Sequence, residues 1–154
     1  GIHLYGGVGS GAETAAGHMA AFFRQRHEGD YVTIMAYIPY SRENDHLLNE
    51  IRICLRDRLH LATAVGYGPR FLHSTGQLHK GGKNNGLFIQ ITHTPASDIP
   101  VPGEDYSFGT LFAAQAAGDY QALEERKRRV IRVHLNGHLP STLEKVKAVI
   151  QKAI

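Results

Sequence analysis

Several things are scarce in this sequence. Its 154 residues include one cysteine, Cys54, so no disulfide can form within the chain and nothing points to a secreted disulfide scaffold. No apolar run approaches the roughly 18 residues that a membrane-spanning helix needs. Charge of either sign is modest. Lysine and arginine number 17 and aspartate and glutamate 14, leaving +3 with histidine neutral. That is too little for a dedicated nucleic-acid binder, although a small basic excess suits phosphorylated metabolites. Repeats and low-complexity tracts are lacking. The opening Gly1-Ile2-His3-Leu4-Tyr5 has neither the charged nor the long apolar region of a signal peptide, and a cytoplasmic protein is expected. It also lacks an initiator methionine, which together with the incomplete chemistry described below leads us to expect a piece of a longer chain.

Hydrophobic residues make up 42% and charged residues 20%, the balance of an ordinary globular protein of single-domain size. Enough apolar side chain is present to offset chain entropy, so disorder is not expected.

Helical and strand-like patterns alternate. A helix is predicted from about Gly11 to Arg26, opened by a capping box of Ser10 and Glu13 and lined by Ala15, Met19, Phe22 and Phe23. Tyr31 to Ile38 is a nearly continuous apolar run, as expected of a strand covered on both faces. Leu47, Leu48, Ile51, Cys54 and Leu55 then form one stripe of a helix over Glu43 to Leu59. Leu61 to Val65 and Gly86 to Thr92 read as strands. Pro95, Pro100 and Pro102 forbid a helix or central strand between His93 and Tyr106. A helix from Ser107 to Lys127, a strand from Arg129 to Leu135 and a closing helix follow. The last has a capping box of Ser141 and Glu144 and an inner face of Leu143, Val146, Ile150 and Ile154. The expected fold is a doubly wound α/β/α sandwich of four to five mostly parallel strands, in one domain spanning residues 1–154. Ligands bind such sheets at the C-terminal strand ends. Those ends lead into Pro39 to Asn44, Gly66 to Gly82, His93 to Tyr106 and His134 to Ser141.

The second segment is the richest in functional groups: Arg70, His73, Ser74, Thr75, Gln77, His79 and Lys80 crowd into it among glycines. Hydroxyls and free amides at a helix start hold anions. Arg70 and Lys80 would add charge-assisted contacts to a phosphate. An imidazole titrates near neutrality, so His73 would suit proton transfer to a sugar ring oxygen. The plain alternative is a glycine-rich turn with locally bonded histidines. His73 and His79 lack the tight spacing of a zinc site, and Lys80 to Gly86 lacks the order of a P-loop. The run Glu124 to Arg129 reads as a solvated helix end in preference to a nucleic-acid contact, and Cys54 as a small core residue.

His73-Ser74-Thr75-Gly76-Gln77-Leu78-His79-Lys80-Gly81-Gly82, with Gly66 to Leu72 before it, resembles the C-terminal domain of bacterial bifunctional transaldolase/phosphoglucose isomerases. The likeness continues through Asn85 to Thr92, Ile99 to Gly103, Tyr106 to Leu111 and Arg129 to Leu135, and covers most of the chain after Gly29. It implies a sugar-isomerase (SIS) domain acting on a phosphosugar without metal or organic cofactor. The complete enzyme would interconvert glucose 6-phosphate and fructose 6-phosphate. Within the family a histidine in a His-Ser-x-Gly-Gln-like segment opens the pyranose ring and reaches the neighbouring subunit's site. His73 matches that histidine, with Arg70, Ser74, Thr75 and Gln77 as its substrate-binding neighbours. The implied partners are the remaining domains of the parent enzyme and further copies in a homo-oligomer, with neither nucleic acid nor membrane.

The family's glutamate motif, its lysine motif and its serine/threonine-rich phosphate loop have no match here. Glu43 stands at a strand end, but no motif supports it as the missing carboxylate, and Lys145 reads as a surface residue. The expectation is therefore a C-terminal fragment that supplies one histidine to a composite site. The alternative is a non-catalytic phosphosugar-binding or dimerisation module.

Overall fold

The computed structural model describes residues 1–7 and 11–154. A short strand β1 (Ile2–Gly6) is followed by α1 (Ala15–Phe23), β2 (Tyr31–Tyr37), α2 (Arg42–Leu59), β3 (Ala62–Tyr67), a single 3-10 turn (Arg70–Leu72), α3 (Ser74–Gly81), β4 (Gly86–His93), α4 (Phe108–Glu125), β5 (Arg129–Leu135) and α5 (Leu139–Ala153). The sheet order is β1-β5-β4-β2-β3. Strands β2 to β5 run parallel and β1 pairs antiparallel with β5. Helices cover both faces, so the protein is a three-layer α/β/α sandwich of five strands. No helix of the described residues is long and apolar enough to cross a membrane.

Central position dictates the strand sequences. From Val32 to Tyr37, β2 is buried without a break, and β4 is buried from Gly86 to Ile91. Neither strand alternates because neither has a wet face. One face packs against α1, α2 and α5, burying Met19, Phe22, Leu48, Ile51, Leu55, Leu143, Val146 and Ile150 against Val32, Ile34, Leu87, Ile89 and Ile131. The other face carries a smaller, more aromatic core of Met35, Tyr37, Phe71, Phe88, Ala116, Leu123 and Val130 under the 3-10 turn and α4.

The structure corrects several boundaries. Helix α1 begins at Ala15, where the Thr14 hydroxyl accepts from the Gly17 amide at 3.1 Å; Ser10, expected to cap it, lies outside the described residues. Helix α5 begins at Leu139 with Pro140 in its first turn, ahead of the expected Ser141 cap. Proline is well placed there because that amide has no helical acceptor, and the Ser141 hydroxyl donates back to the His138 carbonyl at 2.9 Å. Helix α4 stops at Glu125, and Lys127 takes a left-handed φ of 53°. Cys54 is half-buried, at the margin of the core and not inside it. The charged run after α4 is not simply solvated: Arg128 donates to the Lys80 and Gly82 carbonyls at 2.7 Å each, and Arg129 pairs with Asp30.

Two elements go beyond the sequence pattern. Strand β1 turns Ile2 and Leu4 onto the core while His3 and Tyr5 stay exposed. Helix α3 forms inside the glycine-rich segment that follows β3. Between Thr94 and Ser107 the chain is irregular, as its prolines require, and Asp98 ties it down. Its carboxylate accepts from the amides of Ile99 and Gly109 at 2.8 Å each and from the Ser107 hydroxyl, while Ser107 itself caps α4 at the Thr110 amide.

Candidate functional site

The five residues singled out for the site lie together at the C-terminal end of edge strand β3. Arg70 opens the 3-10 turn, His73 is the N-cap of α3, Ser74 and Thr75 form its first turn, and Gln77 follows. All five are exposed. Among the described residues none of their side chains makes a hydrogen bond or ion pair. The His73 side chain does not cap its own helix, so the first amides of α3 keep free donors beside it. The Gln77 amide returns to the His73 carbonyl at 2.9 Å, closing the first helical turn. An exposed imidazole, a guanidinium, two hydroxyls, a carboxamide and free amides together can bind an oxyanion and move a proton.

This wet surface stands on a dry base. Phe71 is buried against Tyr37, with ring centroids 6.0 Å apart. The α-carbon of Gly76 presses on the turn so closely that a β-carbon would sit 1.5 Å from the Phe71 carbonyl oxygen. Gly68 lies against the Tyr37 ring, where a β-carbon would come within 2.3 Å. Glycine is required at both positions for contact, not for a positive φ. His79, 4% exposed, stacks among Phe88, Phe71 and Tyr31 at 5.0, 5.9 and 6.2 Å. Burial is the main influence depressing its pKa, and Lys80 adds to it against the pull of Asp119.

Lys80, expected to meet a phosphate, does not face solvent. Its ammonium is paired with the Asp119 carboxylate of α4, with side-chain exposures of 13% and 2%. The second Asp119 oxygen accepts from the Tyr37 hydroxyl of β2. Burial and the adjoining carboxylate hold that phenol well above its ordinary pKa, so it remains a donor. Sequence reasoning does not single out Asp119, although a signal is present: it shares a helical stripe with buried Ala116 and Leu123, and an acid on an apolar stripe needs a buried partner.

Other polar groups gather at the neighbouring strand ends. Thr92 and Thr94 bracket the His134 ring at 2.8 and 3.0 Å, and His3 stands across from it on β1. Burial is the largest influence lowering the His134 pKa; an Asn136 hydrogen bond opposes it, while His3, His93 and Arg132 reinforce it. On the opposite face, a groove of about 560 Å³ between α2 and α5 is lined by Glu43, His46, Glu50, His138, Ser141, Glu144 and Lys147. Glu43 is exposed there, in the first turn of α2, and Lys145 is exposed on α5. His73 does not line this groove.

No family model matches the chain. No curated protein matches it. Among solved structures it is similar to a hypothetical protein, TT0462, from Thermus thermophilus. The superposition has a TM-score of 0.73 at 17% identity and covers 88% of this chain and 37% of that one. A likeness at this identity shows the fold alone, so the chain has the architecture of a unit spanning little more than a third of that protein's length.

Proposed function

We propose that the chain is the C-terminal, SIS-like domain of a glucose-6-phosphate isomerase, carried in a longer cytoplasmic polypeptide fused to a transaldolase, and that His73 opens the sugar ring. One observation supports this reading above the others: an exposed, unbonded imidazole stands on a rigid buried base at the end of a parallel strand. In the ring-opening step a protonated His73 gives its proton to the ring oxygen as the C1–O5 bond breaks. The C1 hydroxyl loses its proton to solvent, and the imidazole is then reprotonated. Arg70 would grip the phosphate through its two-pronged guanidinium, while Ser74, Thr75, Gln77 and the free amides of α3 hold oxygens of the substrate. An acid, a base and positioning are enough for the chemistry, so no cofactor is invoked. Proton transfer between C1 and C2 needs a carboxylate, which we assign to residues that join this surface from elsewhere in the parent enzyme or from a neighbouring subunit of a homo-oligomer. An open surface at the sheet edge suits such a shared site.

The test is His73→Ala in the full-length enzyme. Turnover of cyclic glucose 6-phosphate is expected to fall by about 100-fold or more, the usual worth of a general acid, with turnover of an open-chain substrate retained. Unchanged turnover on the cyclic sugar would remove His73 from the mechanism. Fructose 6-phosphate that bound by calorimetry, with NMR shifts confined to a surface far from His73, would then favour the non-catalytic binding module.

A further inference from the structure

We propose that Asp119 is a positioning residue: through Lys80 it fixes the turn that carries His73, and so sets where the imidazole stands. The inference rests on the function proposed for His73 and concerns residues that never touch substrate.

The connection can be followed bond by bond. Tyr37, at the end of central strand β2, donates its hydroxyl proton to Asp119. The other oxygen of Asp119 accepts from the Lys80 ammonium at the far end of α3. Lys80 also donates to the Phe71 carbonyl at 3.3 Å. Phe71 lies two residues before His73, and its carbonyl is the atom on which Gly76 rests. One ammonium thus ties α3, the 3-10 turn and α4 at a single point. Helix α4 is itself pinned to the sheet there, since the Ala116 carbonyl accepts from Gln90 at 2.8 Å and from Arg132 at 3.2 Å.

Stability alone is a weak reason for such a pair. Replacing a buried ion pair with apolar groups of similar volume often costs nothing, because desolvation offsets the attraction. What apolar groups cannot supply is direction. The N–H donors of one ammonium fix the relative orientation of the acceptors around it, here the Asp119 carboxylate and the Phe71 carbonyl. Backbone hydrogen bonds close the His73 turn on itself and join Gly68 to the Ala36 carbonyl of β2, and aromatic contacts pack beneath it, but the Lys80–Asp119 pair is what ties it to α4. A catalytic group displaced by even about 1 Å loses much of its effect, so the ion pair is placed where alignment matters most.

The experiment uses the full-length protein and the double variant Lys80→Met/Asp119→Leu, which removes both charges and avoids leaving either one buried alone. Tyr37→Phe, which deletes only the hydroxyl, is the milder companion and should move the same readouts in the same direction by less. Amide hydrogen exchange of Leu72, His73 and Gln77, whose amides are hydrogen-bonded within the turn and the first turn of α3, is expected to quicken at least tenfold in the double variant while β2 and β4 amides are unchanged. Turnover of cyclic glucose 6-phosphate should fall by tenfold or more in kcat, and open-chain turnover should persist. Exchange that stays slow, or that quickens equally in the sheet, overturns the proposal. Retention of cyclic-sugar turnover by the double variant, where His73→Ala loses it, overturns it as well. If His73→Ala also keeps full cyclic-sugar turnover, the isomerase reading of His73 fails instead, and the exchange data still decide whether Asp119 holds the turn.

Discussion

Arg129 grips Asp30 across the N-terminal end of the sheet through two hydrogen bonds, 2.6 and 3.0 Å long. The same guanidinium reaches the Gln25 carbonyl after α1 at 2.8 Å and the Asn84 carbonyl before β4 at 3.2 Å. Asp30 in turn accepts from the His27 amide at 2.6 Å. One buried pair therefore gathers the segments that lead into β2, β4 and β5. Removing one partner strands the other charge, so Asp30→Asn should lower unfolding stability by about 3 kcal/mol, measured by urea denaturation at neutral pH.

The same pair predicts an acid limb. Burial alone would raise the Asp30 pKa, but the Arg129 and His27 bonds and charges outweigh it, and the net shift is downward. A carboxylate with a depressed folded pKa contributes stability that is complete above its unfolded value and is lost as pH falls through the folded one. Stability should therefore decline below about pH 4, less steeply in Asp30→Asn. Parallel slopes for variant and parent would contradict this.

Near neutrality the sign is the same but the groups differ. His79 and His134 both have lowered folded pKa values, each chiefly through burial. The unfolded chain binds these protons more readily, so stability is full above the ordinary histidine value and falls as pH drops below about 6.5. Thermal melts on either side of that value should show the midpoint dropping on the acid side. His79→Leu should flatten that slope, and an undiminished slope would assign it to other groups.

Gly76→Ala should be costly. Its added methyl would stand 1.5 Å from the Phe71 oxygen and 2.4 Å from the carbonyl carbon, so backbone must move. Overpacking of this kind costs about 1–3 kcal/mol. Gly81→Ala, where nothing lies within 4 Å, is the control and should stay within about 0.5 kcal/mol of the parent. Equal stabilities for the two variants would refute the close approach.

Gln90→Leu tests the other polar tie in the core. Gln90 is wholly buried; it donates to the Ala116 carbonyl and accepts from the Arg132 guanidinium at 2.7 Å. A leucine of similar size leaves that charged donor short of an acceptor, at a cost of about 2 kcal/mol. Chemical denaturation with an unchanged midpoint would show that Arg132 finds another partner.

Much of the layer order is legible in the chain because burial leaves a mark on composition. Tyr31 to Tyr37 and Gly86 to Ile91 are apolar almost throughout, as only strands covered on both faces can be, and Leu47, Leu48, Ile51 and Leu55 repeat at helical spacing. Strand β1 leaves little trace because its five residues bury only Ile2 and Leu4, and only in part. Helix α3 is hidden because Gly76, Gly81 and Gly82 argue against a helix; contact with Phe71 and burial of His79 override that preference. At the site, Arg70, His73, Ser74, Thr75 and Gln77 stand out as polar groups beside glycines. The place of Lys80 is not legible, because nothing local distinguishes a lysine facing water from one meeting an aspartate 39 positions away.

The guanidinium–carboxylate knot and the row of imidazoles lie at opposite ends of the strands. Asp30 and Arg129 sit where β2 and β5 begin, whereas His134 lies near the C-terminal end of β5 and His73 and His138 follow the ends of β3 and β5. The scaffold is therefore amenable to grafting. New loops could be installed on the imidazole-bearing rim, to alter what the domain recognises, without disturbing the anchor at its foot.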